Sequence, residues 1–134
     1  MNSAAHDIAL KLVDLGIATA FGGNKSWSTH VASEPDSPAN TITIYDTAGG
    51  EPDTDELNHF RPTFQVRVRG ASFEEAYARQ EAIKSALITF AGDTATSRFI
   101  LIVMASDIAS LGRDTKGNHR LVANYRARRE AKEN

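Results

Sequence analysis

The chain has 134 residues, no cysteine and a formal net charge of −2, from 15 basic and 17 acidic side chains. That length predicts a single domain over residues 1–134, able to bury roughly two-thirds of the unfolded chain's surface and so to hold a core without covalent staples. The lack of cysteine excludes disulfides, thiol catalysis and thiolate metal centres, and a composition 41% hydrophobic and 24% charged excludes wholesale disorder, collagen-like repeats and coiled coil.

From the N-terminus, Ile8, Leu12 and Leu15 recur on one helical face, after Asn2 or Ser3 as N-cap and before Gly16, which predicts a helix over 4–15. Residues 18–31 set Gly22, Gly23 and Asn24 between short apolar pieces around Trp27, as a hairpin or an irregular strand pair would. The Pro-broken run 34–40 predicts a turn, and 41–46 alternates Ile42 and Ile44 against threonines, as a half-buried strand does. Residues 47–58 (TAGGEPDTDELN) read as a long acidic loop, a kind that in compact domains is functional or mobile. Its acids Glu51, Asp53, Asp55 and Glu56 lack the spacing of an EF-hand, so a solvated loop is expected rather than a cation site.

Residues 62–69 alternate cleanly, with Phe64, Val66 and Val68 on one face and Gln65, Arg67 and Arg69 on the other. Gly70 ends this strand, and Ser72 with Glu75 forms a capping box for a helix reaching about Phe90. Its apolar stripe is Phe73, Ala76, Tyr77, Ile83, Leu87 and Phe90. Residues 98–105 (RFILIVMA) are apolar on both alternating faces, the pattern of a strand covered on both sides or buried in an interface. A polar turn at 111–120 leads to a final strand over 121–128, in which Leu121, Ala123, Tyr125 and Ala127 alternate with Val122, Asn124, Arg126 and Arg128; the charged stretch 129–134 reads as a frayed tail. The order of elements predicts an α+β fold, a mixed or antiparallel sheet of about four to six strands with two helices packed on one face.

The chemistry-bearing residues do not assemble into a catalytic or metal motif. His6, His30, His59 and His119 are scattered with no pair at ligand spacing, and Gly22-Gly23-Asn24-Lys25-Ser26 lacks the upstream glycine of a phosphate loop. The expectation is no enzyme activity, no cofactor and no metal. The apolar stretch Phe99–Ala105 is far shorter than the roughly 20 residues that span a bilayer, and residues 1–9 lack the basic and apolar regions of a signal peptide. A soluble protein made in a cytoplasm, with no membrane partner, is therefore expected.

Charge is distributed unevenly. Residues 1–60 hold two bases against nine acids, a balance of −7, whereas residues 61–134 hold 13 bases against 8 acids, a balance of +5. Within the basic half, Arg67 and Arg69 on one strand and Arg126 and Arg128 on another each project from a single sheet face. If the strands are neighbours, the four guanidinium groups form one patch, suited to nucleic-acid phosphates, to acids of a neighbouring subunit, or simply to a wet sheet face. Phe64 and Tyr125 alternate onto the opposite face, so no base-stacking platform accompanies the arginines.

An ordered series of segments resembles the tail terminators and other small minor capsid and tail-completion proteins of long-tailed bacteriophages. It comprises the first helix ending in Leu15-Gly16-Ile17, the strand Ile42–Thr47 running into Gly49-Gly50-Glu51-Pro52, and Arg61–Gly70. It continues with the Ser72 helix bearing Glu75-Ala76-Tyr77, then Leu111-Gly112-Arg113-Asp114 and Asn124-Tyr125-Arg126, so that it covers most of 5–128 apart from 18–33. The resemblance implies a virion structural protein at the neck. In that role a homo-oligomeric ring of six caps the tail tube, joins it to the head-side connector and leaves a channel for DNA, which it contacts non-specifically. A connector or other minor capsid role, and a sequence-independent nucleic-acid module, are the alternatives. A sphere of this size is about 36 Å across, so six in a ring enclose a hole of about 36 Å and three a hole of about 6 Å. A duplex of roughly 20 Å passes only the larger. In such a ring Arg67, Arg69, Arg126 and Arg128 are candidates for the subunit interface or the lumen, and Glu51, Asp53, Asp55 and Glu56 for contact with a partner protein.

Overall fold

The computed structural model of the chain describes residues 1–51 and 59–132, the side chains of 49–51 excepted. Its elements are α1 (Ala4–Asp14), β1 (Ser28–Val31), β2 (Thr41–Glu51), β3 (His59–Gly70), α2 (Phe73–Ile88), β4 (Gly92–Asp93), β5 (Ser97–Arg113) and β6 (His119–Ala131). The strands form one six-stranded sheet in the order β1-β2-β3-β6-β5-β4, with β1 parallel to β2 and every other pair antiparallel. This is the α+β architecture expected from the sequence.

Period-two alternation decides what the sheet buries. In β3 and β6, Phe64 lies opposite Tyr125, Val66 opposite Ala123 and Val68 opposite Leu121, all on one face and all buried. Phe64 and Tyr125 stack with centroids 5.2 Å apart at the centre of that face. Ile42 and Ile44 from β2 and Phe99 and Ile102 from β5 extend the same layer, and each such buried side chain contributes about 1.5–3 kcal/mol.

Both helices cover this face, though not by the stripes the periodicity predicts. In α1 the Ser3 hydroxyl accepts from the His6 amide, and Gly16, at φ +76°, turns the chain away after Leu15. Ala5, Ile8, Ala9 and Leu12 are buried, whereas Leu15 is 45% exposed. In α2, capped by Ser72 on the Glu75 amide, the inward positions are Ala76, Gln80, Ile83 and Leu87. Phe73 and Tyr77 instead stack on each other at the surface, with centroids 5.8 Å apart. The polar residue misled the reading: Gln80 is fully buried and donates from Nε2 to the carbonyls of Val66 (3.0 Å) and Leu121 (3.1 Å), fastening the helix to the two central strands.

Element ends also move. β2 continues to Glu51 and β3 begins at His59, so half of the expected 47–58 loop is strand, and the acids Asp53, Asp55 and Glu56 lie outside the described residues. The turn expected at 111–120 contracts to 114–118. There the Asp114 carboxylate accepts from the amides of Lys116 and Asn118, and Gly117 adopts φ +82°. β6 runs to Ala131, so Arg129 belongs to the strand and not to a frayed tail. The two-residue β4 carries no periodicity from which to read it.

Arg129 closes a buried polar cluster. The Asp7 carboxylate, fully buried in α1, accepts from the hydroxyls of Ser97 (2.6 Å), Thr94 (3.0 Å) and Thr96 (2.9 Å) and from the Asn2 side-chain amide (3.1 Å). Arg129 Nη1 lies 3.5 Å from Asp7 and donates to the Asn2 carbonyl at 3.0 Å. The cluster ties the start of α1 to the start of β5 and the end of β6. Burial opposes the Asp7 charge, but the hydrogen bonds from Ser97, Thr96, Thr94 and Asn2 together outweigh it and hold the carboxyl below its ordinary range. A depressed folded-state value contributes stability above the unfolded-state range, and that stability is lost as pH falls through the folded-state value. Urea denaturation should therefore show Asp7→Ala losing about 3 kcal/mol at neutral pH, because the Arg129 charge is left buried without its partner. Acidification below the ordinary aspartate range should destabilise the wild type more steeply than Asp7→Asn.

Candidate assembly surface

The sheet face opposite the helices is built from the other half of each alternation. Along β3 it presents Arg61, Thr63, Gln65, Arg67 and Arg69, and along β6 Arg120, Val122, Asn124, Arg126 and Arg128. The two strands are neighbours, as the four-arginine patch requires, but they run antiparallel. The register sets Arg69 opposite Arg120 and Arg126 opposite Thr63, so Arg67 and Arg69 lie towards one end of the face and Arg126 and Arg128 towards the other.

The two ends differ in kind. At the first end, residues 32–40 fold over the sheet and bury Thr41 and Thr43. Arg69, only 5% exposed, donates to the carbonyls of Pro38 (2.7 Å) and Ala39 (3.2 Å), and lies 3.6 Å from Glu34, which is equally close to Arg120. Arg69 is thus an internal fastener for this covering segment. Burial, and then the charge of Glu34, push the neighbouring Tyr45 hydroxyl up from its ordinary value. Arg67 is half-buried over the Tyr45 ring, 5.0 Å from its centroid.

A polar ladder crosses the middle of the face. Arg67 donates to Gln65 (3.1 Å), Gln65 to Asn124 (3.0 Å) and Asn124 to Ser106 of β5 (2.8 Å). Beyond the ladder lies the open end. Leu101 and Val103 of β5 stand beside Arg128 and Arg126 in register and are 48% and 37% exposed. With Arg61, Thr63 and Ala127 they line a shallow cavity of about 270 Å³. Arg126 and Arg128 are exposed and have no ion-pair partner among the described residues. Of Arg67, Arg69, Arg126 and Arg128, these two are the exposed ones.

β5 was the segment with two readings. It is not covered on both sides: β4 pairs only with Arg98 and Phe99, so from Ile100 to Arg113 one backbone edge of β5 has no strand partner among the described residues. Phe99 and Ile102 are buried, while Ile100, Leu101, Val103 and Leu111 are exposed. The apolar pattern of RFILIVMA is the sequence signal for this surface, and none of its apolar residues is among the charged candidates. Glu34, which pairs with both Arg69 and Arg120, carries no motif; only the tertiary register joins the three. Glu51 ends β2, with its side chain outside the described residues.

Among the described residues no group of three His, Asp or Glu side chains is placed to hold a metal, and no helix is long and apolar enough to cross a membrane. What the fold presents is a sheet with one face closed by helices and the other divided into a covered end and an open cationic and apolar end, the form of an assembly subunit. The model of the bacteriophage tail terminator protein family matches residues 10–131, and the chain belongs to that family. It is accordingly a structural protein of the virion tail. A chain from the virion of a native gene transfer agent particle has the same fold, with a TM-score of 0.64 at 15% identity, over 96% of this chain and 99% of that one. No curated protein matches the sequence.

The division of the face predicts how its arginines respond to truncation. Arg69→Ala should cost about 2 kcal/mol in thermal or urea unfolding, because it removes a buried charged donor to the Pro38 and Ala39 carbonyls and leaves Glu34 with Arg120 alone. Arg126→Ala and Arg128→Ala should stay within about 0.5 kcal/mol of the wild type.

Proposed function

We propose that this chain forms a homo-oligomeric ring of six subunits that terminates the tail tube at its upper end, joins it to the head-side connector and leaves a channel for DNA. The observation that carries the reading is the open end of the sheet. There, exposed apolar side chains and two arginines without an ion-pair partner among the described residues lie along a strand edge that none of those residues pairs, in a chain of the tail terminator family. Monomeric proteins seldom leave such a combination open, since an unpaired apolar edge invites association. Six domains of this size enclose an opening wide enough for a duplex.

In this reading the partners are further copies of the chain, the tail-tube protein and the connector protein. The acidic stretch with Glu51, Asp53, Asp55 and Glu56 is the contact to a partner protein, on the strength of its charge alone. Arg126 and Arg128 serve the subunit contact or the lumen, while Arg67, held in the polar ladder, and Arg69 act inside the subunit. Phe64 and Tyr125 are buried against each other, which argues for a conduit that touches phosphates in passing over a nucleic-acid module that stacks bases.

Light scattering on the purified chain, alone and mixed with tail-tube protein, tests the ring. The expected result is a species of six times the chain mass, in solution or seated on tubes. A monomer under both conditions contradicts it.

A further inference from the structure

The outer side of α2 carries a second exposed apolar patch, opposite in charge to the open end of the sheet. Phe73 and Tyr77, each 40% exposed, stack on each other, and with Ala78 they line a shallow cavity of about 560 Å³ rimmed by the exposed carboxylates of Glu74 and Glu81. The hydrogen bond and the charge of Glu81 push the Tyr77 hydroxyl up from its ordinary value. Neither Glu74 nor Glu81 has an ion-pair partner among the described residues. The two cations of the helix are engaged elsewhere: Arg79 lies over the Trp27 ring and donates to the Ile17 carbonyl (2.6 Å), and Lys84 is bound by Asp107 (3.1 Å). The patch and the open end cannot meet within one chain. Phe73 meets the His119 ring edge-on, and His119 pairs with Gly70 at the covered end, whereas the open end is reached at Thr63. That is seven residues along β3 from Gly70, or roughly 23 Å at the rise of a strand. The two also lie on opposite faces, since α2 packs on the face that holds Phe64 and Tyr125.

Taking the ring reading above as its basis, we infer that the subunit contact is heterologous, the acidic aromatic patch of α2 on one copy seating on the cationic apolar end of β5 and β6 on the next. A head-to-tail contact needs two different, complementary patches on each copy. Here Glu74 and Glu81 oppose Arg126 and Arg128 in charge, and Phe73 and Tyr77 offer apolar surface to Leu101 and Val103 and ring faces to the guanidinium groups. The chain already uses that last pairing internally, where Arg67 lies over the Tyr45 ring. A phosphate backbone matches the arginines but gives Leu101 and Val103 nothing to pack on, and the acids of α2 repel it. Each patch has its complement on the chain's own surface and out of its own reach, so the occupant is a second copy.

Charge reversal tests this. One variant carries Arg126→Glu and Arg128→Glu, the other Glu74→Arg and Glu81→Arg; all four positions are exposed, so each should melt close to the wild type. Alone, each has two patches of one sign and should scatter as a monomer, with or without tubes, where the wild type gives six times the chain mass. Mixed in equal amounts, the two should regain the ring, because every contact between unlike copies pairs opposite charges and an even-numbered ring closes with the copies alternating. Should a double variant unfold, the single variants Glu74→Arg and Arg128→Glu carry the same test. Rings formed by either variant alone, or a mixture of folded variants that stays monomeric, overturn this contact while leaving the wild-type ring standing. A contact pairing the open end with itself would leave the α2 variant competent and likewise overturns it. A wild-type chain that never forms rings removes both readings.

Discussion

The antiparallel register of β3 on β6 is the constraint on which the rest of the molecule depends. Setting Phe64 against Tyr125 places Phe64, Val66, Val68, Leu121, Ala123 and Tyr125 on one face, and a slip of one residue would turn all of them outward. The same register determines the opposite face. It separates the pairs Arg67, Arg69 and Arg126, Arg128, brings Arg120 beside Arg69 and leaves Gln65 and Asn124 in hydrogen-bond reach at the middle. Core and surface follow from one pairing, and Gln80, reaching the carbonyls of Val66 and Leu121, fastens α2 to that pair.

Two buried charge clusters then fix what the sheet alone leaves loose. Asp7 with Arg129 joins the first helix to the far end of the chain, and Glu34 with Arg69 and Arg120 draws residues 32–40 over half of the outer face. Asp7 is held by several hydrogen bonds, the condition under which buried charge is tolerated, whereas Glu34 is held by two guanidinium groups at 3.6 Å. Their consequence is spatial. The outer face is covered at one end and open at the other, where β5 has no neighbouring strand among the described residues.

Much of this was legible in the sequence. The alternation in PTFQVRVR and the Ser72 cap locate β3 and α2, and the series of elements gives the fold class. What was not legible has physical causes. Gln80 reads as a surface residue because its carbonyl partners are set by tertiary packing. Arg69 and Arg126 look alike in a local pattern, and only Glu34, 35 positions upstream of Arg69, distinguishes a fastener from a free cation. The reach of β5 to Arg113 was hidden because register shifts interrupt its alternation between Phe99 and Gly112. Its apolar RFILIVMA run fits a strand covered on both sides or one buried in an interface, and the fold leaves Ile100, Leu101 and Val103 exposed instead of covering both sides.

Electron cryomicroscopy of tail tubes assembled with this chain tests the central claim most directly. The account predicts a ring of six-fold symmetry at one end of each tube, with an open channel wider than the roughly 20 Å of a duplex. Tubes with bare ends, or with the chain scattered along their length, would contradict it.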